Sequence, residues 1–485
     1  MTIPAFEPAL AEFLSAFPAY GRTQALDDLR RREFRRLEVG DQVYLDYTGG
    51  CLYPASLVQQ HAEMLQALVL GNPHSQNPAS LAATERVEQA RADVLAFFRA
   101  DPADYLVIFT ANASGALKLL AESYPFAPGG GFVLVADNHN SVHGIREFAR
   151  AGGAAVTYIP LDPSSLRAPD PAPYLAMAPA TGPRLFAFPA QSNFSGVQHP
   201  LEWVELAQAR GFDVLLDAAA FAPTNRLDLS RLRPDFAPIS FYKMFGYPTG
   251  IGALIARRAA LARLRRPWFA GGTVQMVSTK AELHILAEGA AAFEEGTVNY
   301  LGLPAISNGL RLLDEIGIEC IHDRVMALTA YLLREMQALR HGSGAPLVQI
   351  YGPGDAHQRG GTIAFNLLDA AGILFSYQQV EAEANRAAIS IRSGCFCNPG
   401  AGEYSLTYSA EQMRGCVQQA TAGGAFDLAR FHECLAGPDG SKATGAVRAS
   451  VGMASNFADA HRFLRFLAGF RDRKAEALAD PFTCI

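Results

Sequence analysis

The chain has 485 residues, 49% of them hydrophobic and 18% charged, a globular balance with length for two or three domain-sized cores. Its formal net charge of −6 comes without a long run of one sign, which sets aside nucleic-acid and anionic-membrane binding. No uninterrupted apolar stretch approaches the ~18 residues of a membrane span, the start MTIPAFEPALAEFL lacks a secretory-signal pattern, and seven scattered cysteines argue against a disulfide framework and for a reducing cytoplasm.

In chain order, the first 40 residues read as an N-terminal segment that joins a small domain formed later in the chain. Apolar runs rich in β-formers then predict strands at 105–109, 131–136, 154–159, 184–188, 213–217, 235–240 and 250–255. Helical patterns such as SGALKLLAESY (114–124) and LEWVELAQAR (201–210) lie between them. The runs are nearly continuous rather than alternating, as in strands buried on both faces, so the expectation is an α/β domain over 41–300 with a largely parallel sheet. The Pro-rich patch 168–183 reads as a surface loop. From about 301 the pattern changes to long helices (303–340), short strands at 347–351, 362–367 and 389–392, a Gly/Ala-rich stretch near 421–445 and a closing segment at 447–467. This predicts a smaller α+β domain over 301–485.

Ligands of open α/β sheets sit beyond the carboxyl ends of the strands, and polar residues gather at those positions. TANASG follows the first strand, DNHNS the second, PAQSNFSG the fourth, Asp217 ends the fifth, and FYKMFG follows the sixth. Lys243 stands among Phe, Tyr and Met residues; burial there depresses an amine's pKa and makes it a Schiff-base former, while a snorkelling surface lysine is the plain alternative. Asp217 can hold a pyridinium nitrogen protonated or merely cap the following turn. Together the two form the pattern of a pyridoxal 5'-phosphate site. Ala113 and Ser114 at a helix start offer N–H groups to a phosphate, and Ser240 adds a hydroxyl. His139 can stack on a ring or move protons, or be structural. Arg448 can grip a substrate carboxylate bidentately, or close a salt bridge.

The stretch IRSGCFCNPGAGE (391–403) holds Cys395 and Cys397. A disulfide between residues two apart is badly strained, and no recognisable zinc spacing connects them with Cys416, Cys434 or His432. A Gly/Pro/Asn-rich loop is exposed and mobile, so the pair reads as carrying a reactive thiol near Arg392 rather than as core filler.

The motifs YLDYTGG (44–50), GNPHSQNPAS (71–80), FTANASGALKLL (109–120), QSNFSGVQHPLEW (191–203), VLLDAAAFAPT (214–224), FAPISFYKMFGYPTGIGALI (236–255), FAGGTV (269–274), FEEGTVNYL (293–301), RSGCFCNPGA (392–401) and GAVRASVG (445–452) span about residues 40–470. They resemble cysteine desulfurases of the class V aminotransferase fold group, and among them the NifS-like N-terminal domain of molybdenum cofactor sulfurases. The resemblance implies a fold type I pyridoxal-phosphate transferase with a mostly parallel seven-stranded sheet. It implies that Lys243 carries the cofactor, Asp217 holds its pyridinium nitrogen, and His139 stacks on its ring. Ala113, Ser114, Ser240 and Tyr242 would bind phosphate. Thr297 would reach the phosphate of the opposite subunit of a homodimer. Asn193 would lie near cofactor and substrate, Arg448 would bind the L-cysteine carboxylate, and Cys397 rather than Cys395 would receive the sulfur. Ala220 stands where many desulfurases place Gln or His, which leaves the cofactor's phenolic oxygen to another donor such as Asn193. Eukaryotic sulfurases carry a further domain that binds the molybdenum cofactor; this chain stops at Ile485, so the expected sulfur acceptor is a separate protein or a molybdenum cofactor carrier. A β-lyase or aminotransferase with an incidental Cys397, and a non-catalytic sulfur-relay or scaffold protein, are the competing readings.

Overall fold

A computed structural model describes residues 3–437 and 442–475. The seven predicted strands form one sheet. Its order from one edge is Tyr105–Thr110, Gly252–Arg257, Phe236–Ser240, Asp213–Asp217, Arg184–Pro189, Gly131–Val135 and Ala155–Ile159. The inner strands are buried along their whole length, as continuous apolar runs require when helices cover both faces. Five strands pair in parallel, whereas Gly252–Arg257 runs antiparallel to both of its neighbours. The predicted start at 250 moves to Gly252 because Gly250 is in a left-handed turn, at φ 76°.

A second sheet of Val348–Tyr351, Thr362–Leu367, Ala446–Ser450 and Arg392–Gly394 is antiparallel. The predicted strand 389–392 is two pieces: Ile389–Ser390 pairs with Val43–Tyr44, and Arg392–Gly394 pairs with Ala446–Ser450. The helices Pro304–Ile316, Ile318–Ala338 and Phe457–Ala468 occupy the segments read as helical or closing. The N-terminal helices pack on that end of the chain: Phe13 meets Tyr331 and Phe457 at 5.1 and 4.9 Å, and Arg30 Nη1 donates to Asp459 Oδ2 at 2.5 Å.

Three expectations are corrected. The Pro-rich patch contains a short helix, Ala172–Met177, with Pro near its start, a position that costs a helix nothing. A hairpin of Val274–Ser278 and Leu283–Leu286 was not foreseen, because its exposed apolar residues lack the pattern of a half-buried strand. The Gly/Ala-rich stretch holds the helices Ala410–Thr421 and Leu428–Ala436, joined by a Cys416–Cys434 disulfide. The cysteine count argued against a disulfide framework and missed this bridge, because only the packing of the two helices brings the partners together. Part of that stretch, 438–441, lies outside the described residues. Among the described residues, no helix is long and apolar enough to cross a membrane.

Candidate active site

The carboxyl ends of the large sheet's strands open onto one cavity of about 420 Å³. It is lined by Ala113, Ser114, His139, Asn193, Asp217, Ser240, Tyr242 and Lys243, all predicted, and by Gln191 and Thr249, which were not. Its wall is built locally. Phe236–Ser240 runs straight into the short helix Phe241–Phe245, which Gly246 ends in a left-handed conformation at φ 77°. A Cβ on Gly246 would lie 2.4 Å from the Leu52 carbonyl carbon, so only glycine lets this turn pack flush. Lys243 is thereby held at the cavity. Burial pulls its amine below the usual lysine range, against the opposing charge of Asp217.

Asp217 closes its strand with its Oδ1 accepting from Ala219 N–H at 3.0 Å, so the local cap and the place at the cavity coexist. His139 follows the Gly131–Val135 strand and caps the short helix Asn140–His143, its Nδ1 accepting from Ser141 N–H at 3.1 Å. Burial pulls its imidazole below its ordinary value, with Asp217 opposing. Facing them, Asn112 caps the helix Ala113–Ser123 by accepting from Gly115 N–H at 2.8 Å. The N–H groups of a helix's first turn have no partner within the helix, and here they belong to Ala113 and Ser114. Gly252 makes the close approach possible: a Cβ there would sit 2.5 Å from the Asn112 carbonyl carbon and 2.7 Å from Ala113 N. The donor set fits a phosphorylated pyridoxal: a buried low-pKa amine, a carboxylate, a ring-sized imidazole and an anion-binding helix start.

Arg448 lies on the strand Ala446–Ser450, fully enclosed. Its Nη2 donates to Asp46 Oδ1 at 2.9 Å and its Nη1 to the Asn193 carbonyl at 2.9 Å. Asp46 also binds Arg392, whose Nη2 reaches Asp46 Oδ2 at 2.7 Å. The salt-bridge alternative for Arg448 is therefore realised, and Asp46 went unnoticed in the sequence. Its signal is the YLDYTGG motif itself: a Cβ on Gly49 would sit 2.5 Å from Asp46 Oδ2. The Arg448 Nε is buried with no hydrogen-bond partner among the described residues. Two arginines around one carboxylate leave a net positive charge here.

The 391–403 segment covers this arginine. Phe396 is buried, its ring centroid 4.7 Å from the Arg448 guanidinium carbon, while Cys395 and Cys397 are exposed thiols. Cys397 is near enough for its charge to act on both Lys243 and Arg448. Phe396 and Cys397 are consecutive left-handed residues, at φ 55° and 54°, each costing on the order of 1–2 kcal/mol. The loop was expected to be exposed and mobile. It is instead bonded to the cavity wall: Asn193 Nδ2 donates to the Phe396 carbonyl at 2.7 Å, and Asn140 N–H to the Cys397 carbonyl at 2.7 Å. Thr297 stands apart from the cavity and lines a neighbouring one of about 380 Å³, where Asn72 Nδ2 meets its hydroxyl at 3.3 Å.

The Aminotransferase class-V family matches residues 43–463, and the chain belongs to it. It is 39% identical over 476 residues to the molybdenum cofactor sulfurase of Bos taurus, an alignment that covers 93% of this chain and 52% of that protein. The chain spans about half the length of that curated relative. The apo cysteine desulfurase of Thermococcus onnurineus NA1 superposes with a TM-score of 0.74 at 24% identity, covering 92% of this chain and 97% of that one. The cystine C-S lyase C-DES, in complex with its reaction product cysteine persulfide, superposes with a TM-score of 0.67 at 19% identity, covering 90% and 99%. The fold of this chain is the one these proteins share.

Proposed function

We propose that the chain is a pyridoxal 5'-phosphate-dependent cysteine desulfurase, which moves sulfur from L-cysteine onto Cys397, releases L-alanine and passes the sulfur to an acceptor. The observation that carries this is the juxtaposition of the Lys243–Asp217 cavity with the exposed Cys397 thiol, whose loop is bonded to the cavity-lining Asn193 through the Phe396 carbonyl at 2.7 Å. In this reading Lys243 holds the cofactor, Asp217 its ring nitrogen, His139 its ring face, and Ala113, Ser114, Ser240 and Tyr242 its phosphate. The cofactor supplies an electron sink for the substrate carbons. Lys243, as a neutral amine, carries the substrate's α-proton. Arg448 receives the substrate carboxylate once the loop that covers it moves aside, and Asn193 is bonded to both that arginine and the thiol loop. The Cys397 thiolate bonds to the substrate sulfur as the Cβ–S bond breaks; the electron pair stays on the carbon, where a proton completes alanine.

The acceptor is a sulfur-accepting protein or a molybdenum cofactor carrier, and the likeness to a molybdenum cofactor sulfurase favours the latter. The working form is a homodimer in which Thr297 completes the partner's phosphate site, and the compartment is the cytoplasm, reducing enough to keep Cys397 a thiol while Cys416–Cys434 stands as an isolated bridge. The chain divides at about residue 300 into the cofactor-binding part and the part carrying the thiol loop, with 1–40 packed on the latter.

The test is incubation of the pyridoxal-phosphate-loaded protein with L-cysteine. Alanine release together with one added sulfur atom on the Cys397 peptide is expected, and both vanish in Lys243→Ala. The likeness to a C-S lyase makes a lyase the second reading, and it predicts turnover that survives Cys397→Ala.

A further inference from the structure

Asn193 apart, the side chains that fix the thiol loop are distinct from those assigned to cofactor or substrate. Asp137 follows the Gly131–Val135 strand and is fully buried. Its Oδ1 accepts from Asn398 Nδ2 and from Ser192 Oγ, each at 2.7 Å, and its Oδ2 lies 3.2 Å from His199 Nε2. Asn398 follows Cys397 directly and is also fully buried. Its Oδ1 caps the helix Pro399–Ser405 through Ala401 N–H at 3.0 Å, and its Nδ2 also reaches Asn193 Oδ1 at 3.0 Å. One step further, a Cβ on Gly400 would sit 1.9 Å from the Ala136 carbonyl, so the loop's far end rests on the backbone beside Asp137.

We propose that Asp137 and Asn398 are positioning residues whose buried hydrogen bond latches Cys397 in its left-handed turn at the rim of the lysine cavity. The inference rests on the desulfurase reading. A buried bond to a carboxylate is among the strong ones, and it opposes two strained residues that relax outward once it is lost. Asp137 is not among the cavity's lining residues; it acts on the thiol through Asn398 and the loop, and braces the Gln191–Asn193 wall through Ser192. Asn140 belongs to the same DNHN turn and holds the Cys397 carbonyl, so that turn fixes His139 on one side and the thiol on the other.

The test uses the full chain loaded with pyridoxal phosphate. Asn398→Asp keeps an oxygen to cap Ala401 but sets a second carboxylate against Asp137. Hydrogen exchange across 391–405 and at Asn140 is expected to quicken by about tenfold or more, the equivalent of one lost buried hydrogen bond. Sulfur loading of Cys397 in a single turnover is expected to slow by a similar factor, with the Lys243-dependent absorbance retained. The exchanged pair, Asp137→Asn with Asn398→Asp, restores a donor and an acceptor and returns both readings toward wild type. If Asn398→Asp does not fold, Asn398→Ser, which keeps a cap oxygen and loses the amide Nδ2 that reaches Asp137 and Asn193, carries the same test without the rescue. Wild-type exchange and loading in the single variant overturn the latch, as does a folded double variant no better than the single. A wild-type chain that never loads sulfur refutes the desulfurase reading instead, and the exchange measurement still decides the latch.

Discussion

His143 is one residue through which acid acts on this fold, beside His139 and His432. It is buried and stacked on Tyr158 at 5.6 Å, and burial lowers its pKa to about 4. The unfolded chain, titrating near 6.5, binds this proton first, so its contribution to stability is complete above about pH 6.5 and drains away as pH falls toward 4, by about 3 kcal/mol. His143→Phe is expected to flatten urea-derived stability between those pH values while leaving the neutral-pH value within about 1 kcal/mol. At Arg448, replacement by lysine keeps the charge and loses the fork that meets Asp46 and Asn193. Steady-state kinetics are expected to show KM for L-cysteine raised about tenfold, more than kcat falls. Lys243 and Asp217 were legible because each breaks an apolar run at a strand end. Asp46, Asp137 and Asn398 were not: their meaning lies in partners 402, 55 and 261 positions away, and no local pattern announces such a pairing.

Elements were easier to read than the contacts between them. All seven strands of the main sheet lay within two residues of expectation, because a doubly buried strand leaves a continuous apolar run. The direction of Gly252–Arg257 was beyond that signal, since burial looks the same for a strand run either way. The helix Ala113–Ser123 depends on Asn112 for its cap. Asn112→Ala is expected to cost about 1 kcal/mol and to weaken binding of pyridoxal phosphate, measured by titration of the apo protein, more than it weakens binding of unphosphorylated pyridoxal. Gly400→Ala drives a Cβ into the Ala136 carbonyl; it is expected to destabilise the chain by roughly 1–3 kcal/mol and to abolish sulfur loading of Cys397 while the cofactor still binds.

At the scale of the whole molecule, the ends of the chain are tied together by buried charge. Arg324, almost fully enclosed, spans Asp27 at 2.8 and 2.9 Å and Thr23 at 2.6 Å. Arg324→Ala leaves the part-buried Asp27 carboxylate without its partner, while Thr23 keeps its bonds to Tyr20 and Leu26, and is expected to cost about 1–3 kcal/mol in chemical denaturation. The hairpin Val274–Ser278 with Leu283–Leu286 exposes Met276, Val277, Leu283 and Ile285, and Trp268 is half-exposed beside it in the chain. Such a patch on a monomer marks an interface. For the proposed homodimer, Met276→Lys with Ile285→Lys is expected to halve the mass seen by sedimentation equilibrium. An alternation of exposed apolar residues says nothing about what covers them, which is why this face could not be placed from the sequence.

The segment carrying Cys395 and Cys397 is pinned at both ends, by the Gly394–Ala446 pairing and by Gly400 against Ala136. Five residues lie between, and at about 3.5 Å per residue even a slack arc of that length carries its sulfur only on the order of 10 Å. In the proposed reaction, handover is therefore a short-range exchange: the recipient must bring its own receiving atom to the exposed Cys397.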